Sequence, residues 1–384
     1  MLSMGTADSF DYAVVGAGLA GASTAWRLAQ RGHSVVILER SEPANSAGSS
    51  HGSARIFRYV YDDPFYTRLV QESLAGWQEL EACHGHPLIT STGCLDHGEV
   101  RRPRQMAAVL DQAGVPHSLL SPAQAAGRWP QFAFDTDALW HPGAGVIDAE
   151  GTVQAMVAAA LAQSAVLLTN WPVASVATSG AGYVLASSDG RTVEAGHVVV
   201  AAGGWLPGLL GNLDLPGTFL ASLPRFQVRQ ETAFHFPYRD QADTGWPTSI
   251  HMADWIQVYT LPGGRDAGYR GQKVAEFNGG KLLPDASAQD GLIDPAHRQR
   301  IVDYVGRYLP GLVPEPYAET TCLFTNTPTE DFVIDRAGGI TVLSPCSGHG
   351  AKFAPLLGEL AARLATGTGD VPPRFRASLA APAP

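Results

Sequence analysis

Three glycines near the front of the chain, in Gly16-Ala-Gly18-Leu-Ala-Gly21, are followed 18 residues later by Glu39. Glycine lets a backbone turn tightly and come close to a pyrophosphate, whose charge rests on the positive N-terminal end of the next helix. A carboxylate placed like Glu39 then accepts hydrogen bonds from ribose hydroxyls. The three glycines alone would also suit a tight strand-to-helix turn. With an apolar strand before them, a helix after them and an acid at the right distance, they predict a dinucleotide site. Glutamate at that position disfavours a 2′-phosphate and leaves FAD or NAD.

Lysine is the scarce residue: the cations are 23 Arg and only Lys273, Lys281 and Lys352. An arginine-rich codon bias produces such an imbalance without function. Each remaining lysine still invites attention, because a guanidinium cannot replace a compact ammonium beside a reacting centre. Four cysteines, Cys83, Cys94, Cys322 and Cys346, lack CxxC spacing and argue against a disulfide framework or a structural zinc site.

The elements that must position these groups follow from periodicity. A strand over 12–15, a helix to Arg31 and a strand over 34–38 make one βαβ unit. A helix over 65–83 has one buried face, residues 86–150 read as strands and loops, and helix returns over 151–165. Asp189-Gly190 marks a hairpin between 182–186 and 191–203. Aromatic-rich strands at 225–236 and 255–261 follow, then a helix capped by Asp294 with Pro295 in its first turn. Strands at 332–334 and 340–343 lead to a helix from about Gly350 to Ala365.

The chain has 384 residues, 45% hydrophobic and 16% charged, with a net charge of −10. It is long and apolar enough for about two domains. The acidic balance disfavours nucleic acid and anionic membrane partners. No apolar run spans a bilayer and the start lacks the pattern of a secretory signal, so a soluble, cytoplasmic protein is expected.

Three further segments carry a resemblance. They are Gly48-Ser-Ser-His51-Gly-Ser-Ala-Arg55-Ile-Phe-Arg58, Cys322-Leu-Phe-Thr-Asn-Thr-Pro with Asp331-Phe-Val-Ile-Asp335, and Ser347-Gly-His-Gly-Ala-Lys352-Phe. In order and spacing they resemble the monomeric sarcosine oxidase and N-methyltryptophan oxidase family, flavoenzymes of the D-amino-acid oxidase superfamily. Residues 86–320 match sparsely.

The resemblance implies an α/β fold: a Rossmann-like FAD-binding domain, discontinuous over 8–85, 150–215 and 321–384, interleaved with a substrate domain of antiparallel sheet plus helix over 86–149 and 216–320. It implies FAD as cofactor, held by Gly16, Gly18, Gly21, Glu39, Arg40, Ser49, His51, Arg55, Gly348, Gly350 and Lys352, and attached through a thioether to Cys322. A buried, inert strand cysteine is the other reading of Cys322. Arg58 and Lys352 would hold a substrate carboxylate, a planar fork and a point charge converging on one anion. An ion pair for Arg58 and a solvated helix position for Lys352 are the plainer alternatives.

Lys273 falls where the family keeps a lysine near the flavin for reaction with oxygen, though it would also suit an exposed strand. His51, Arg55 and His349 are either supporting groups near the ring or structural residues. Lys281 reads as a surface residue. The positive end of the helix from Gly350 would face the flavin.

Phe277 and Phe324 depart from the family, which has histidine and tyrosine at these positions, while Tyr259 retains a pocket tyrosine. The more apolar pocket favours a bulkier or cyclic amino acid over sarcosine, unless both phenylalanines merely pack the core. The implied activity is oxidation of a secondary amino acid, N-methylated or cyclic, to an imine, with oxygen reduced to hydrogen peroxide by a monomeric enzyme. A dehydrogenase or tailoring oxidase with another acceptor, and a dinucleotide-binding subunit without turnover, stand as alternatives.

Overall fold

The computed structural model describes residues 9–242 and 245–377. Strands Ser9–Val15 and Val35–Leu38 pair in parallel, joined by helix Leu19–Gln30. Strand Thr192–Val200 adds in parallel on the other side of Ser9–Val15, and Val166–Leu168 extends the sheet beyond Val35–Leu38. The hairpin Val173–Ser179 with Gly182–Ser187, and the pair Val333–Ala337 with Ile340–Ser344, complete eight strands. The strand Thr192–Val200 alternates at its start, where it pairs antiparallel with Gly182–Ser187, and ends in the buried apolar run Val198-Val-Val200 that a central parallel strand requires.

Helix Leu19–Gln30 is buried almost all round, between the sheet and helices Ala149–Ala162 and Ala354–Thr366. Its small residues make that possible. A Cβ on Gly358 would stand 2.1 Å from Ser23 Oγ, so the two helices approach at near backbone contact.

A second sheet of nine strands is built around the long strand Gln227–Pro237, which pairs with Gly271–Glu276, Lys281–Leu283 and Ala318–Asn326. It continues through Gln257–Pro262 and Thr248–Met252 to Cys94–His97, Ala138–His141 and Ser118–Leu120. All its pairings are antiparallel except Thr248–Met252 with Cys94–His97, which run parallel, so the expected antiparallel sheet is in fact mixed. Helix Pro295–Tyr308 covers its outer face, with Asp294 Oδ1 accepting from the Ala296 amide at 2.9 Å as the cap predicts. A three-stranded sheet of Arg55–Phe57, Gly145–Ile147 and Ile89–Ser91 lies beside these two.

Several expectations shift. The boundary expected at residue 321 cuts strand Ala318–Asn326, whose ladder with Gln227–Pro237 runs continuously from Ala318 to Asn326. Residues 86–150 contain helices Pro103–Gln112 and Pro122–Arg128 as well as strands, the second with a reciprocal capping box between Ser121 and Gln124. The helix expected from Gly350 opens as a 3-10 turn, Gly350–Phe353, before Ala354–Thr366. Trp255 is left in an exposed loop because its strand begins only at Gln257. Among the described residues no helix is long and apolar enough to cross a membrane.

Candidate active site

The glycine turn folds as its residue types demand. Gly16 has φ +99°, and a Cβ there would meet the Ala201 carbonyl oxygen at 2.5 Å; on Gly21 it would meet the Gly16 oxygen at 1.9 Å. Gly16 therefore makes the turn, and Gly21 lets the helix sit on the strand end rather than lining the cavity. The helix N-cap is Gly18, which has no side chain of its own to cap the first turn, and no acid stands within that turn. The positive helix end meets only neutral groups, the Ser50 hydroxyl among them, where it lines a cavity. Glu39 is buried there, its carboxylate accepting from the Ala17 and Ser41 amides at 2.8 and 3.0 Å.

This turn is one end of a cavity of about 1480 Å³ that runs between the two large sheets. Gly16, Gly18, Glu39, Arg40, Ser49, Arg55, Cys322, Gly348, Gly350 and Lys352 all line it, as do Arg58, Tyr259, Lys273, Phe277 and Phe324. Residues far apart in sequence thus share one wall. The size and donor set fit FAD: a large cavity, a positive helix end for the pyrophosphate and Glu39 for a ribose.

Hydrogen bonds tie the three motif segments together. Ser49 Oγ donates to the Leu323 carbonyl at 2.5 Å, and Ser50 Oγ accepts from the Leu19 amide at 3.1 Å. Arg55 donates to the Ser49 and His51 carbonyls at 3.0 and 2.9 Å, so it holds the loop rather than pairing with an acid. The Ser347 amide donates to the Thr325 carbonyl at 3.0 Å. His51, like Gly21, is an expected site residue that stays off the cavity lining. Its carbonyl serves Arg55, while its ring is outside the cavity lining, held neutral with a pKa near 4 chiefly by burial.

At the other end stand two cations. Lys352 is buried, and its Nζ donates to Tyr61 Oη at 3.0 Å and to the His349 carbonyl at 2.7 Å. Burial first, and then Arg58, push its pKa well below the usual lysine value. Arg58 donates to the Val60 carbonyl and lies over the Tyr61 ring at 4.7 Å. Among the described residues neither cation is ion-paired to a carboxylate. The Lys352 carbonyl accepts from Trp77 Nε1 at 2.8 Å and Ser73 Oγ at 3.1 Å, so helix Pro64–His84 fixes the turn that presents the ammonium.

His349 supplies an orientation argument. Its Nε2 lies 3.0 Å from the Glu330 carbonyl, which can only accept, so Nε2 carries the proton. Nδ1 is then the acceptor for Tyr61 Oη at 3.0 Å, and the Tyr61 oxygen is free to accept from Lys352. Burial lowers the His349 pKa to about 3, which preserves this neutral tautomer.

Cys322 and Lys273 stand on two strands that flank Gln227–Pro237 in the nine-stranded sheet, and both line the cavity. Lys273 is buried, within 3.4 Å of the Ala54 carbonyl, and its pKa falls to about 8 through burial and then Arg55. Cys322 is a free thiol pushed up by burial, with Arg55 and Lys273 opposing that rise. Burial also raises the Tyr259 phenol. Phe277 and Phe324 stand 6.1 Å apart and close over Gly348.

The family assignment rests on a match over residues 11–364 to the model described as FAD dependent oxidoreductase. The chain belongs to this family. It is 31% identical to the monomeric sarcosine oxidase of Streptomyces avermitilis over 94% of both chains. It is 29% identical to the N-methyl-L-tryptophan oxidase of Yersinia pestis, over 93% of this chain and 95% of that one. In structure it is similar to NikD, described as an unusual amino acid oxidase essential for nikkomycin biosynthesis, with TM-score 0.83, 25% identity and 96% of each chain covered. The protein is an FAD-dependent oxidoreductase.

Among the contributors to the cavity wall that had no sequence expectation are Tyr61, Trp205 and Arg101. Trp205 lies under the Arg40 guanidinium at 4.2 Å. Arg101 pairs with Asp96 at 2.6 Å and donates to the Val60 carbonyl that Arg58 also uses. Tyr61, three residues after Arg58, was the most accessible of them to sequence reasoning.

Proposed function

We propose that this enzyme oxidises the C–N bond of a secondary amino acid, N-methylated or cyclic, to an imine, passing the electrons to oxygen to give hydrogen peroxide. The observation that carries this reading is the adjacent pair Lys352 and Arg58 on the cavity wall, neither with a carboxylate partner among the described residues. A buried ammonium bonded only to neutral oxygens is costly to keep. A carboxylate between Lys352 and Arg58 would relieve that cost, which makes an amino acid a better fit than a simple amine. Arg101, already neutralised by Asp96, would shape the pocket without claiming the anion.

When bound, FAD supplies the two-electron acceptor for the C–H bond next to nitrogen. Gly16, Gly18 and Glu39 would hold its dinucleotide end, and Cys322 would hold its ring through a thioether. The chain's other groups position and exclude. Tyr61 and His349 fix the Lys352 ammonium, so the bound carboxylate meets a preset donor. Phe277, Phe324 and Tyr259 exclude water and favour a ring or N-alkyl group over a small polar substrate. Oxidation removes two electrons and two protons from the substrate CH–NH, and oxygen takes up both to become hydrogen peroxide. Lys273 would place a fixed positive charge where oxygen is reduced. The likeness to a monomeric sarcosine oxidase supports a monomer, which size-exclusion chromatography checks.

The test is a screen of N-methyl and cyclic amino acids with purified protein, following flavin bleaching and peroxide. Bleaching with peroxide supports the proposal. Bleaching without peroxide in air would move the acceptor from oxygen to another carrier, and no bleaching with any of them would overturn it.

A further inference from the structure

Three residues from separate segments meet on the face of the nine-stranded sheet turned away from the cavity. Strands Cys94–His97 and Thr248–Met252 run parallel with His97 opposite His251. Ile250 and Met252 line the cavity, so His251 between them projects to the opposite face. There it packs on Tyr304 and Tyr308 of helix Pro295–Tyr308. The two imidazoles stack with centroids 4.2 Å apart and planes 11° from parallel. Asp135, on the loop before strand Ala138–His141, reaches within 3.8 Å of His251 Nε2. One ligand atom from each of the three lies within 4.8 Å of the other two.

Both histidines are buried, at 1% and 0% exposure, and His97 Nδ1 and His251 Nε2 have no hydrogen-bond partner. The surrounding groups are arranged as outer supports. His251 Nδ1 lies 3.0 Å from Tyr304 Oη; when Nδ1–H donates to that hydroxyl, the Nε2 lone pair is left facing Asp135. Tyr308 Oη donates to the other carboxylate oxygen of Asp135 at 3.3 Å. Such partners fix the tautomer and direction of metal ligands.

We propose that His97, His251 and Asp135 bind a first-row divalent cation of the zinc class. Two imidazoles and a carboxylate suit zinc and its neighbours in that series, and leave a fourth position for water. The half-exposed Asp135 gives the ion a way in. Bonds of about 2.0–2.1 Å need the ligand atoms closer than they stand, so binding tilts the rings out of parallel and draws Asp135 inward. The role is to clip this loop to the sheet, since the sheet itself separates the ion from the cavity. The group Cys94, Asp96 and His141 is a weaker rival. Its carboxylate already pairs with Arg101 at 2.6 Å, and all three members are fully buried.

The test uses the flavin-loaded protein, stripped with a chelator, dialysed and titrated calorimetrically with Zn²⁺ alone. One ion binds per chain, and Tm rises by about 3 °C at a hundredfold excess over Kd. Both effects disappear in Asp135→Asn and His97→Gln, shown to be folded by circular dichroism, and persist in Cys94→Ser. Asp135→Asn decides the matter alone if His97→Gln does not fold, because Asp135 is half-exposed. Absence of binding to the parent chain overturns the proposal, as does binding that survives in folded Asp135→Asn or is lost in folded Cys94→Ser.

Discussion

Lys352 and Arg58 differ from Arg101 in having no carboxylate partner among the described residues, although all three line the same cavity. Replacing Lys352 by Met is therefore expected to raise KM for an amino acid substrate about 10- to 100-fold, the worth of a charge-assisted hydrogen bond, with a smaller effect on a substrate lacking the carboxylate. Steady-state kinetics on the two substrates separates these outcomes. Lys273 makes a different prediction, because its pKa of about 8 lies below the value of 10.5 expected for the unfolded chain. Its ammonium is present below about pH 8 and lost above it, so stopped-flow reoxidation by oxygen should slow as pH rises through that value. Lys273→Met should be slow at every pH and lose the dependence. Stability carries the opposite sign: between about pH 8 and 10.5 the unfolded chain binds more protons at this site, so burial of the ammonium costs most below pH 8 and the cost fades as pH rises. Lys273→Met should accordingly melt higher than the parent at pH 7, with the gain shrinking by pH 10.

At the scale of elements, the site depends on turns that bring backbones unusually close. Gly348 has φ +71°, and a Cβ there would stand 2.5 Å from Phe324 and 2.9 Å from Phe277. Gly348→Ala should destabilise by about 1–3 kcal/mol through left-handed strain and overpacking. Adding Phe324→Leu should return part of that loss in denaturant melts; full additivity of the two changes would count against contact between them. The glycine and proline positions made much of this scale legible in advance. The βαβ unit, the Asp189-Gly190 hairpin and the Asp294 cap lie where local residue chemistry predicts them. Helix Pro122–Arg128 had a readable start in Ser121-Pro-Ala-Gln124 but was hidden among the prolines and glycines of residues 86–150. Trp255 shows the converse, an aromatic residue suited to a strand that the chain leaves in a loop.

In the whole molecule, the cavity exists because the chain passes repeatedly between two sheets, leaving Cys322 on one and the glycine turn on the other. If Cys322 holds the cofactor, acid precipitation should give a yellow pellet from the parent protein and a colourless one from Cys322→Ser; a colourless parent pellet removes the thioether. The sequence by itself determined the dinucleotide turn, the family and the scarce residues that line the cavity, because each depends on residue type at short spacing or on motifs in fixed order. Only the tertiary structure decided which cations lack a carboxylate partner among the described residues, that the ring of His51 is off the wall, and that Tyr61 and His349 orient Lys352. It alone also set His97 beside His251 and Asp135. Charge compensation and hydrogen-bond direction depend on distances between segments tens to hundreds of residues apart, and no local pattern records them.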